Sequence, residues 1–109
     1  LHAFWDRIID DSVPREKSST EFRYLDRVIA MIVHDHPRSP SLAILPGNFE
    51  AWSREGLATA KAVVYPQSLY QRELPINSYR QMAFATSDAA IAMAGYRLAD
   101  LLNRLFDGH

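Results

Sequence analysis

Two stretches of the chain hold residues whose types and spacing could do chemistry. His2 and Asp6 stand four positions apart, so in a helix the imidazole and the carboxylate lie one turn apart on one face. A single zinc ion could be reached by both, at about 2.0–2.2 Å from each donor atom. The same spacing describes an ordinary ion pair at the start of an amphipathic helix, and spacing alone favours that plainer reading. The second stretch is His34-Asp35-His36, where two imidazoles flank a carboxylate. Here a structural reading prevails over metal binding. Histidine near a helix C-terminus interacts favourably with the macrodipole, and Pro37 then stops the helix. The chain has no cysteine, which excludes disulfides, thiolate chemistry and cysteine-held zinc. A formal net charge of -1 offers no basic surface that would hold nucleic acid by charge alone.

The elements that must carry these residues read as helices throughout. Leu1 to about Ile9 has Leu1, Trp5, Ile8 and Ile9 on a potential apolar face, and Pro14 closes the stretch. Arg15 to Thr20 is a polar loop. Ser18 with Glu21 has the spacing of a capping box, and Thr20 is a rival N-cap. The helix that follows runs to about His34, with Phe22, Leu25, Ile29 and Ile32 at helical spacing and Val28 and Val33 widening the stripe. Arg38 to Gly47 is an irregular connector in which Leu42, Ala43, Ile44 and Leu45 pack. Asn48 caps a helix over Phe49 to Val64, and Tyr65 to Pro75 is a second connector. Glu55 lies close to the apolar side of that helix and reads as one half of a surface ion pair with Arg54 or another base. Asn77 can cap the longest helix, which extends to Phe106 and is crowded with small residues from Ala83 to Gly95. Such residues allow close approach, which makes it the central helix of a bundle. Gly95, costly by about 1 kcal/mol in a helix interior, points to tight packing. The expected architecture is all-α: about four helices with long connectors, forming a single helical segment over residues 1–109. No apolar run approaches the ~20 residues of a membrane span.

Three separated stretches together resemble one family. Leu1-His2-Ala3-Phe4-Trp5-Asp6 is similar to the Leu-His-x-x-Trp-Asp motif of the zinc-dependent S1/P1 single-strand nucleases and 3′-nucleotidases, of the phospholipase C/nuclease superfamily. Trp52-Ser53-Arg54-Glu55, followed by Leu57-Ala58 and Tyr65, resembles their Trp-x-x-Glu-Ser-type helix. Ala94-Gly95-Tyr96-Arg97-Leu98-Ala99, then Leu102-Asn103, resembles their closing Ala-Gly-x-Arg-Leu-Ala-x-x-Leu-Asn signature. The resemblance runs from Leu1 to about Phe106 and covers the C-terminal part of the family pattern. In one respect the chain departs from it: many members place the serine after the glutamate, where this chain has Ser53 before Glu55.

The resemblance implies a site of three zinc ions with about nine ligands. Of these it assigns His2 and Asp6 to this chain, sharing one zinc with a histidine from an N-terminal segment. It assigns no catalytic or substrate-binding side chain here, and it leaves His34 and His36 out of the metal sites. It further implies a secreted or periplasmic enzyme that hydrolyses phosphodiester bonds of single-stranded DNA and RNA. The 109 residues alone are expected to be inactive, since two protein ligands fall short of the three usual in a catalytic zinc site. They are also expected to expose apolar surface that the N-terminal segment covers. Two other readings stay open: a metal-free helical interaction module that kept the fold, and a zinc hydrolase of the phospholipase C type.

Overall fold

In a computed structural model the protein is described over residues 2–40, 44–66 and 76–107, and these are helical with no strand. The elements are α1 (His2–Asp6), α2 (Ile8–Ser12), α3 (Glu21–Asp35), α4 (Phe49–Thr59) and α5 (Ile76–Asp107). A π-helical turn, Ala60–Val64, extends α4. The all-α expectation holds. What reads in the sequence as one helix from Leu1 to Ile9 is two, because Arg7 sits at φ -106° and ψ 3° between them. This break lets Trp5 on one side and Ile8 on the other both face α5. Val13 then turns extended, as the residue before a proline prefers, and its N–H closes α2 on the Ile9 carbonyl.

Helix α3 is capped by Thr20, whose hydroxyl accepts from the Arg23 N–H at 3.2 Å; Ser18 is not the cap. Asn48 caps α4 as its type predicts, accepting from the Ala51 N–H at 3.0 Å. The helix α5 begins at Ile76, so Asn77 lies inside its first turn and not at its cap.

The long helix α5 is the hub. Helices α2 and α3 and the π turn all pack on it. The core joins Ile8 and Val13 to Tyr24, Val28 and Ile32 of α3 and to Tyr79, Ala83 and Ala92 of α5. On α3 the burial differs from the stripe expected: Phe22, Leu25, Ile29 and Val33 face outward, Phe22 with 81% of its surface exposed. The helix is apolar over more than half its circumference, and the half that packs is centred on Tyr24, Val28 and Ile32. An aromatic with a hydroxyl can take the core position because its polar end is satisfied. Tyr24 donates to Asp10 at 3.1 Å and lies 3.3 Å from the Val13 carbonyl.

The expected role of Gly95 is corrected as well. No atom lies within 4 Å of where its Cβ would stand, so no neighbouring helix demands a glycine there. The small residues of α5 do matter at Ala83 and Ala92, which are buried. Ala90 and Ala94 instead line an apolar groove of about 790 Å³ between α5 and α4, together with Trp52, Gly56, Ala60 and Leu98. Beyond the groove, Leu102, Leu105 and Phe106 stand exposed. In the first connector Ile44 is buried as expected, Leu45 is exposed against expectation, and Leu42 and Ala43 lie outside the described residues.

The junction of α2 and α3 carries a charge network with a measurable signature. Arg15 donates to both Asp10 (3.0 Å) and Glu21, and its guanidinium lies 3.8 Å from the Tyr24 ring centre. The Arg15 hydrogen bond, helped by that from Tyr24, holds the Asp10 carboxyl below its usual range. A carboxyl depressed in the folded state stabilises the fold above its unfolded value of about 3.9, and loses that contribution as pH falls through the folded value. Asp10→Asn is expected to lower the melting temperature near pH 6 and to make the decline below about pH 4 shallower. Melting curves from pH 6 to pH 3 check this; parallel curves for parent and variant would rule it out.

Candidate metal centre

Helix α1 places His2 and Asp6 together. Nε2 of His2 lies 3.1 Å from Oδ2 of Asp6, with 94% and 64% of the two side chains exposed. Two donors of a tetrahedral zinc stand about 3.3–3.5 Å apart when each is 2.0–2.2 Å from the metal. At 3.1 Å the pair has the geometry of a direct ion pair or hydrogen bond, a little closer than two zinc donors stand, and both side chains are of types that bind zinc. Among the described residues no group of three or more histidine, aspartate or glutamate side chains is poised to hold a metal.

The other histidines are placed differently. His34 contacts its neighbour Asp35 at 3.1 Å on the exposed surface. His36 forms the C-cap of α3, and its Nε2 lies 3.0 Å from Oδ1 of Asp88, a carboxylate on α5 with only 4% exposure. Its backbone carbonyl accepts from the Tyr96 hydroxyl at 2.6 Å. His36 thus pins the end of α3 to α5, a role its position before Pro37 only half suggests. Asp88 and Tyr96 give no sign of it in the sequence, because their partner is more than 50 residues away.

The remaining two motif stretches meet each other. Arg97 of α5 reaches across to α4, where it donates to Glu55 at 2.5 Å and lies 4.9 Å from the Trp52 ring centre. Its Nε also donates to the Ile44 carbonyl at 3.0 Å. The Trp52 indole N–H points at the same turn, 3.1 Å from the Ile44 carbonyl and 2.9 Å from that of Leu45. Leu45 has φ +52°, a left-handed conformation unusual for a branched apolar side chain, and Gly47 follows at φ +68°. The turn brings both carbonyls onto Trp52, while Arg97 binds the first of them. Glu55 is therefore an ion-pair member, as its position suggests, but its base is Arg97; Arg54 instead pairs with Glu50 one turn back. These residues form a structural knot between α4, α5 and the turn at residues 44–48.

The Trp5 of the first motif is likewise structural. Its indole N–H donates to the Tyr79 hydroxyl at 2.9 Å, and that hydroxyl donates to the Val64 carbonyl at 2.8 Å. Each of the three stretches thus contributes a side chain that ties helices together, and the first also presents the His2–Asp6 pair. No described helix is long and apolar enough to cross a membrane.

Comparison with known proteins bears on the same stretches. Searches of curated proteins and of solved structures gave no match. The family model described as S1/P1 Nuclease matches residues 1–107. That family consists of nucleases, hydrolases with nucleic acid as substrate; it is generally zinc-dependent and its members are typically secreted. With nearly every residue inside the match, this chain belongs to the S1/P1 nuclease family.

Proposed function

We propose that the chain is the C-terminal segment of a zinc-dependent endonuclease and 3′-nucleotidase. The intact enzyme cleaves phosphodiester bonds of single-stranded DNA and RNA, and His2 and Asp6 hold one of its zinc ions. The observation that supports this best is the His2–Asp6 pair, 3.1 Å apart on a chain of nuclease family. His2 binds as the neutral imidazole through Nε2, which leaves Nδ1 protonated as a hydrogen-bond donor that fixes the ring. Asp6 serves as an anionic donor, not as a general base. When bound, zinc supplies positive charge for the phosphate and makes hydroxide available near neutral pH. The near-zero net charge of the chain agrees with metal, not a basic patch, holding the phosphate. The exposed faces of α3 and of the α4–α5 groove are the surfaces an N-terminal segment of the same protein covers, and that segment provides the other ligands. A secreted or periplasmic location follows from the family.

The test is turnover of single-stranded DNA and of phosphatidylcholine by the longer protein, with zinc analysis alongside. Zinc-dependent DNA cleavage without lipid hydrolysis is the expected result, with no cleavage by the 109 residues alone. Lipid hydrolysis without DNA cleavage would make the protein a phospholipase. A longer protein that binds no zinc would make it a helical interaction module.

A further inference from the structure

Helix α1 cannot hold its own shape. It has five residues, buries none of them, and is cut from α2 at Arg7. A helix so short does not persist in water without packing, because nucleation is unfavourable and few bonds follow it. What fixes α1 is a set of aromatic contacts on one residue of α5. Phe4 and Trp5 lie with ring centres 5.6 and 6.1 Å from that of Tyr79, and Arg80 sits 5.2 Å from the Phe4 ring centre. Among these contacts the directional one is the relay from the Trp5 N–H to the Tyr79 hydroxyl and on to the Val64 carbonyl.

We propose that Tyr79 is a positioning residue for the metal ligands: its buried hydroxyl, bonded at once to Trp5 and Val64, sets the placement of α1 and so of His2 and Asp6. The proposal rests on the zinc role of His2 and Asp6 given above. Trp5 precedes Asp6 directly and follows His2 by three positions, so a fixed indole leaves α1 little freedom to turn about its axis. Tyr79 is 6% exposed, and water does not readily replace its hydroxyl. Val64 ends the π turn, so its carbonyl lies beyond the helix's own ladder and is open to an outside donor. One hydroxyl thereby links the end of α4 to the helix that carries the ligands. Without the hydroxyl, the indole N–H loses its acceptor and the carbonyl its donor. The rings still pack, but nothing fixes the angle at which they do so.

A second tyrosine supplies the control. The Tyr96 hydroxyl donates to the His36 carbonyl at the end of α3, a bond of the same kind on the same helix, far from His2 in the fold's connections. The experiment makes Tyr79→Phe, Trp5→Phe, Tyr96→Phe and His2→Ala in the full-length zinc-loaded protein. Zinc retention is read by titration with a chromophoric chelator, and the melting temperature is recorded for each. Tyr79→Phe is expected to weaken retention of one zinc about tenfold, in the range seen when supporting partners of metal ligands are removed. Trp5→Phe should act in the same direction. Tyr96→Phe should lower the melting temperature and leave zinc retention at the parental level. If His2→Ala loses a zinc while Tyr79→Phe and Trp5→Phe retain parental affinity, the positioning role is wrong and the proposed function stands. If Tyr79→Phe does not fold, Trp5→Phe decides alone by the same criterion. If His2→Ala keeps every zinc, the proposed function fails and this inference with it.

Discussion

His2→Ala in the full-length protein is expected to remove one zinc per molecule and to cut cleavage of single-stranded DNA by a factor of about a hundred or more, with the helical fold left standing. Three points support these sizes. His2 is almost fully exposed and contributes nothing to the core, so its loss costs little stability. A site left with too few protein donors does not hold zinc against water, since catalytic zinc usually keeps three. The positive charge lost from the site is of the kind worth several kcal/mol to a phosphoryl transition state, and about 2.7 kcal/mol already corresponds to a hundredfold. Asp6→Asn should behave alike, an amide being a poorer zinc donor than a carboxylate. His34→Ala is the clean control, because His34 is 88% exposed and pairs with its neighbour Asp35. His36→Ala is not, because it strips the partner from buried Asp88 and should lower stability. Metal analysis beside turnover for the four variants gives the result. Full zinc and full rate in His2→Ala would reduce the pair to a helix-surface ion pair.

The second large effect is on stability and comes from Arg97. Its side chain is 13% exposed and serves Glu55, the Ile44 carbonyl and the Trp52 ring together. Truncation loses all three, the Ile44 carbonyl keeping only the Trp52 N–H, for which about 2–3 kcal/mol is a reasonable sum. In a domain of this size that lowers the melting temperature by about 10–20 °C. Glu55→Gln should cost under about 1 kcal/mol, because Glu55 is half exposed and exposed ion pairs contribute little. Thermal unfolding of Arg97→Ala and Glu55→Gln compares the two. Equal losses would mean that the ion pair, and not the anchoring of the turn at Ile44, carries the effect.

What could be read from the sequence was what is local. The bounds of α3 and the start of α4 follow from periodicity, prolines and capping residues, α5 follows from its long apolar pattern although Asn77 does not cap it, and the His2–Asp6 pair follows from its four-residue spacing. Competing local signals were harder to rank: Ser18 and Thr20 both had cap chemistry, and only the path of the chain selected Thr20. The buried side of α3 could not be chosen from a stripe wider than one face. Nothing local marks Tyr24 for the core, because the Asp10 and Val13 oxygens that satisfy its hydroxyl are 14 and 11 positions away. The same holds for Trp5 with Tyr79, His36 with Asp88 and Arg97 with Glu55. Each is a pair of ordinary residues, and its meaning arises only when α5 brings the two together.

That dependence on α5 has a consequence for how the chain comes to be folded in a cell. The bonds that close the structure join residues 52, 60 and 74 positions apart, and one end of each lies on α5. Helices α2 and α3 can meet through Val13 and Tyr24 as soon as both are made, but the contacts that join them to α1 and α4 wait for α5. Most of the long-range closure is thus deferred until α5 has been translated. Until then the apolar side of α3 that faces α5 stays uncovered, a state open to non-native association.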